Sequence, residues 1–254
     1  PADAWVIIFW RGVAAAGFTI GYLLIRGRLG AEWREMGGPG WLVAVISAAG
    51  TSAFIPAFKL TTIANVAMIY ATAPFLAAVI AWIALRERPK PVVVVASLLA
   101  FAGVCLIVGG PSQGGSRTGD LLALFMTLMM AGTMVVYRRW PATPAALPSA
   151  IACLLLSPPA LIFSAPFAVD LGQMPALAGF GLVFALASVL LSEGSRRLPA
   201  SETALLSALE TPFAPVLAWL VLAEIPATMS LMGGAVILAA VFGAQLVQIT
   251  GRRR

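Results

Sequence analysis

The sequence predicts an all-α integral membrane protein whose two halves are one repeat in opposite orientations. Composition, the spacing of apolar runs and self-similarity predict it together. Of 254 residues, 61% are hydrophobic and only 10% charged, whereas a soluble domain carries about a quarter charged residues. The apolar residues gather into nine runs, about 3–26, 39–58, 61–85, 92–110, 118–138, 145–167, 175–195, 200–222 and 227–249. Each approaches the roughly 20 residues that a helix needs to cross a bilayer. The loops between them carry Gly, Pro or charge, and none has room for a soluble domain.

The repeat is clearest from Asn65 to Glu87, NVAMIYATAPFLAAVIAWIALRE. A shift of 137 positions sets Trp82 on Trp219, Glu87 on Glu224, Ala96 on Gly233, Gly103 on Ala240 and Val104 on Val241. Pro74 reaches Pro212 with one residue more. A repeat about half a chain long sets the architecture before any single helix does.

Bases fix the direction of each run. Arg26, Arg28 and Arg34 follow the first run, Arg86, Arg88 and Lys90 the third, Arg138 and Arg139 the fifth, Arg196 and Arg197 the seventh, and Arg252 to Arg254 the ninth. The loops between these hold only Lys59 and Arg117, beside acids such as Asp120, Asp170 and Glu224. By the positive-inside rule the odd-numbered runs travel inward and the C-terminus is cytoplasmic. The run that ends at Glu87 goes inward and its copy that ends at Glu224 goes outward, which is an inverted-topology repeat. Pro1 then lies outside, and the expectation is one further helix ahead of residue 1. That gives ten helices, nine of them visible here, arranged five plus five. The first repeat covers residues 1–110 and the second 118–250.

Taken in order, the runs differ in what they carry. The first holds Phe9-Trp10-Arg11-Gly12. The third contains Asn65, Tyr70, Thr72, Pro74 and Trp82; the fourth reads ASLLAFAGVCLIVGG from Ala96 and is rich in small residues. The fifth is Met-rich at Met126, Met129 and Met130, and the sixth is interrupted by Pro158. The eighth repeats the third with Thr203, Ser207, Glu210 and Pro212, and the ninth, GGAVILAAVFGAQL from Gly233, repeats the fourth. Prolines such as Pro56, Pro74, Pro212 and Pro215 predict kinks. Gly103, Gly233 and Gly234 predict close helix packing.

Several function classes are excluded. The chain has no His, which removes His-ligated metals, Ser-His catalysis and His proton relays. Its two cysteines, Cys105 and Cys153, lie inside apolar runs and read as packing residues. There is no aspartate cluster for Mg²⁺ and no phosphate loop, so an enzyme is not expected and no cofactor is implied. The net charge of +6 reflects membrane topology, and no nucleic acid partner is expected.

Polar groups inside lipid are the functional candidates. Asn65 and Thr72 are two helical turns apart and share a face. Through the repeat that face becomes Thr203 and Glu210, with Ser207 on the same stripe, and such stripes either line a substrate path or bond neighbouring helices. Glu210 is the one acid deep within a run, suited to carry a proton or bind a cationic group, or else a neutral structural residue. Arg11 binds a substrate carboxylate, closes a gate against an acid, or snorkels to the headgroups. Trp10, Tyr70 and Trp82 are the aromatics placed to reach a cavity.

These residues resemble a known family. Trp82 with Arg86-Glu87-Arg88-Pro89, the copy Pro212, Trp219 and Glu224, the two small-residue helices and Phe9-Trp10-Arg11-Gly12 are similar to the EamA-type transporters of the drug/metabolite transporter superfamily, whose nearest kind here is an aromatic amino acid exporter. The resemblance implies a multi-pass protein of the bacterial inner membrane that exports small metabolites, amino acids foremost, by alternating access without ATP. It implies a cavity lined by helices 1–4 and 6–9, with helices 5 and 10 as scaffold. The expected partners are a small-molecule substrate and the lipid bilayer, with monomer and homodimer both open. A flippase for lipid-like substrates is the competing reading, and the lack of clustered intramembrane Lys and Arg argues against phosphorylated substrates.

Overall fold

The computed structural model describes residues 3–86, 91–109, 116–197, 219–220 and 228–252. Among the described residues every regular element is helical: α1 Ala4–Ile25, α2 Leu29–Leu60, α3 Ile63–Tyr70, α4 Ala73–Leu85, α5 Pro91–Gly109, α6 Arg117–Arg139, α7 Ala146–Leu155, α8 Ser157–Phe163, α9 Met174–Arg197 and α10 Thr228–Arg252. Among the described residues six stretches are long and apolar enough to span a membrane: α1, α2, α3 with α4, α5, α6, and α7 with α8. Shorter apolar helices fill Met174–Ala187 and Thr228–Ala244, on the seventh and ninth runs. The eighth run lies outside the described residues except for Trp219 and Leu220.

Three of the runs depart from simple spans, each for a legible reason. The expected loop after α1 is itself helical. Gly27, at φ +61°, ends α1, and the Arg28 amide closes back on the Leu23 carbonyl at 2.9 Å, the usual glycine stop. A new helix starts at Leu29, because Glu32 and Met36, four residues apart, both turn inward and are buried. Gly37 then breaks it at φ +46° and ψ −165°, a conformation open only to glycine. The third run divides at Ala71–Thr72 into α3 and α4. Pro74 cannot donate to the carbonyl four residues back, and it sits in the first turn of α4, where no donor is needed. The sixth run divides at Leu156, just before Pro158 and Pro159.

The chain forms two compact units, each drawn from both halves of the sequence. The first comprises residues 1–55 and 136–197, the second 56–135 and 198–254. In the first, α1 is the hub, packed against α7, α8 and α9. Its inner face repeats every two turns. Ile8 packs with Ala48, Ile55, Ala152 and Leu156; Ala15 and Ala16 pack with Ala150, Cys153 and Ala185; Leu23 packs with Met36, Ala44 and Leu147. The middle layer is nearly all alanine, so the backbones come closest there. In the second unit the principal pair is α5 with α10, and α3 packs on both.

Glu32 secures the first unit from a distance. The start of α7 has no cap from its own chain neighbours, and the buried Glu32 carboxylate accepts the Leu147 amide at 2.9 Å instead. Glu32→Ala is expected to cost about 1 kcal/mol, the usual worth of a lost helix cap, with Glu32→Gln costing less. Thermal unfolding of the purified protein checks both, and an Ala variant as stable as the parent would show that the bond contributes nothing.

Candidate functional site

Arg11 is the most unusual residue of the first unit. Its side chain is 1% exposed, although it lies in the middle of an apolar helix. Two close approaches put it there. A Cβ on Gly181 would fall 2.8 Å from the Arg11 carbonyl and 2.6 Å from the Ala14 Cβ, so only glycine lets α9 lie this near to α1. Gly12 likewise admits the Cys153 carbonyl of α7, 3.3 Å from where its Cβ would stand. With α9 seated on α1, the residues on either side of that contact, Phe180 and Phe184, turn onto the guanidinium. Its carbon lies 4.6 Å from the Phe184 ring centre, 5.5 Å from Phe180 and 5.8 Å from Phe54 of α2.

The rings satisfy part of the charge through their faces. They accept no conventional hydrogen bond, and Nε and Nη2 of Arg11 are buried without a partner. These two nitrogens are one edge of the guanidinium, the edge whose parallel N–H groups match the two oxygens of a carboxylate. Trp10, beside it, is half-buried. Its indole nitrogen donates to the Pro166 carbonyl at 2.8 Å, and its ring meets Phe9 and Phe167 edge to face. Snorkelling, one of the roles the sequence left open for Arg11, is not what the side chain does, because its head is enclosed by rings.

The second unit holds a separate polar cluster. Asn65 is 7% exposed and Asp120, in the first turn of α6, is 4% exposed. One oxygen of Asp120 accepts from Thr61 Oγ1 at 2.6 Å and from Asn65 Nδ2 at 3.0 Å. The Asn65 Oδ1 is buried and unbonded. Close approach again makes the contact: a Cβ on Gly119 would lie 2.7 Å from the Leu60 and Thr61 backbone, and the Ser116 amide bonds the Leu60 carbonyl at 2.7 Å.

The remaining candidates fall as follows. Thr72 is buried, but its hydroxyl donates to the Ile69 carbonyl at 2.7 Å and closes the break between α3 and α4. Asn65 and Thr72 therefore do not lie on one continuous helix, as the sequence-derived face required. Tyr70 is half-buried at the end of α3, and Trp82 is exposed on α4. Ser207 and Glu210 lie outside the described residues. Sequence reading missed Phe54, Phe180 and Phe184 as company for Arg11, and it treated Asp120 as a loop acid. The Phe-Gly-x-x-Phe spacing of 180–184 was the available signal, since it places two rings around a glycine contact. Among the described residues no three His, Cys, Asp or Glu side chains gather in a way that would hold a metal.

Comparison with known proteins agrees with this architecture. The sequence pattern of the EamA-like transporter family matches residues 2–109 and, a second time, 117–245. A solved structure titled only "Crystal structure of protein" aligns over 100% of this chain and 90% of its own, with a TM-score of 0.69 at 18% identity. At that identity the likeness is one of fold. No curated protein matches the chain.

Proposed function

The chain belongs to the EamA-like transporter family, and from that premise we propose that it exports small metabolites, amino acids foremost and aromatic ones among them, out of the cytoplasm. Membership makes it a multi-pass membrane transporter of small molecules; the substrate class and the mechanism are the proposal. The supporting observation is the unbonded Nε and Nη2 edge of Arg11. A buried cation with two parallel, unused donors is stabilised by a carboxylate more than by any neutral group. The rings of Phe54, Phe180 and Phe184 around it favour a carboxylate that carries an apolar or aromatic group.

Transport proceeds by alternating access without ATP, across the bacterial inner membrane, with the C-terminus on the cytoplasmic side. Asn65, Tyr70, Thr72, Trp10 and Trp82, with Ser207 and Glu210, are the proposed lining of the path. Glu210 is also the intramembrane acid that the sequence offers for proton movement.

Counterflow in proteoliposomes tests the proposal. Vesicles loaded with one unlabelled amino acid are offered the same amino acid labelled outside, across a panel that includes sugars and neutral amines. Transient accumulation of amino acids, largest for the aromatic ones, is expected. Accumulation of sugars or amines but not of amino acids, or of nothing by folded protein, overturns it.

A further inference from the structure

The cluster at Asp120 is not needed to bind a carboxylate, and its chemistry points elsewhere. A carboxylate that is 4% exposed is costly to keep ionised unless a cation or several hydrogen bonds support it. Both of its donors, the Thr61 hydroxyl and the Asn65 amide, are neutral, and both reach the same oxygen. The charged groups near it in the chain are Arg117, three residues earlier on α6, and Lys59, two residues before Thr61 on the segment packed against it. On α3 the one titratable side chain is Tyr70, at the far end.

We propose that Asp120 and Asn65 together form a proton-binding site. In the described arrangement Asn65 turns its Nδ2 to Asp120, as an ionised carboxylate requires, and leaves its Oδ1 buried and unbonded. The same Nδ2 lies 3.4 Å from Thr61 Oγ1, and leaving the Oδ1 acceptor unbonded is costly, so it is the acceptors of Asp120 and Thr61 that hold the amide in this orientation. When a proton from water forms an O–H bond on Asp120, the carboxyl becomes a donor and needs an acceptor. A half-turn of the Asn65 amide supplies one, because an amide presents N–H₂ on one side and C=O on the other. One residue thus serves both protonation states. The position also links proton binding to shape, since Asp120 ties the start of α6 to Thr61 and Asn65 at the α2–α3 junction, where Gly119 leaves no slack.

The site stands independently of the substrate proposal, and so does its test. Infrared difference spectra of the purified protein in lipid nanodiscs, recorded as pH is lowered, report the C=O stretch of a newly protonated carboxyl group. The wild type is expected to show such a band growing in as the pH falls. Asp120→Asn should lose the band, Asp120→Glu should keep it at a shifted frequency, and Asn65→Leu should shift both frequency and midpoint. Glu32→Gln should leave it in place. Thermal unfolding confirms that each variant is folded. Survival of the band in Asp120→Asn overturns the assignment, and its removal by sodium at constant pH would make the site a metal-cation site instead. If the band behaves as expected while counterflow fails for every amino acid, the proton site stands and the substrate proposal falls.

Discussion

Arg11→Met is expected to make the protein more heat-stable and, on the proposed function, to cut amino acid counterflow sharply. A buried Arg near the middle of a spanning helix costs about 3 kcal/mol on insertion scales. The ring contacts return some of this. Phe180 and Phe54, at 5.5 and 5.8 Å, are near the limit of useful range, and only Phe184, at 4.6 Å, is close. With about 2 kcal/mol recovered from such desolvated contacts, removing the charge gains about 1 kcal/mol. Methionine fills most of the space of the Arg stem, so little cavity remains to offset that gain. The substrate side moves the other way. Loss of a buried, charge-assisted bidentate pair costs about 2–5 kcal/mol, so counterflow should fall by about 30-fold to several thousand-fold. Arg11→Lys keeps the charge without the parallel donors and should fall between. The two readouts separate the explanations: a residue that only holds helices together would lose stability on truncation. A Met variant that transports at the parent rate removes Arg11 from the substrate path.

What could be read beforehand depended on how local its cause is. The spans were legible because hydrophobic runs near 20 residues answer to the thickness of the bilayer alone. The break at Pro74 was expected from one missing N–H, and the structure places it two residues earlier, at Ala71–Thr72. The helix at Leu29–Met36 was not expected, because Arg26, Arg28 and Arg34 read as the bases of a loop between two apolar runs. Its stability comes from Glu32 reaching Leu147, 115 positions away, and no local pattern records such a partner. The Arg11 cage failed to appear for the same reason, since Phe180 and Phe184 join Arg11 only through the contact at Gly181. Arg11 itself was legible as a charge in an apolar run; its surroundings were not. Asp120 could be seen at the head of α6, yet whether a residue there faces lipid, water or protein depends on Gly119 meeting the Thr61 backbone. Ser207 and Glu210 lie beyond the described residues, so their expected roles stay with the proposal.

The second large effect is expected at the crossing of α5 and α10, the helices that the sequence repeat pairs with one another. Gly103 and Gly233 meet there backbone to backbone. A Cβ built on Gly103 would stand 2.6 Å from the Gly233 carbonyl oxygen, and one on Gly233 would stand 2.5 Å from the Gly103 carbonyl oxygen. Ile107 and Ile237 close the contact on either side, at 2.7 and 2.6 Å from the same two positions. The side chains of Ile107 and Ile237 have some freedom to turn away, but two carbonyls inside helices have almost none. Any side chain at either glycine must therefore separate the helices along the contact, and a membrane offers no hydrophobic drive to bring them back. Gly233→Ala should cost about 1–3 kcal/mol, the usual range for overpacking, and Gly233→Val should cost more. Gly103→Ala should behave alike, and because one separation of the helices relieves both clashes, the double Ala variant should cost clearly less than the sum of the single ones. Gly243, on the same helix with nothing within 4 Å of its Cβ position, serves as the control and should accept Ala without loss. Thermal unfolding in detergent measures all five. Additive costs at Gly103 and Gly233, or a Gly243→Ala variant as damaged as they are, would show that close packing at this crossing is not what holds α5 and α10 together.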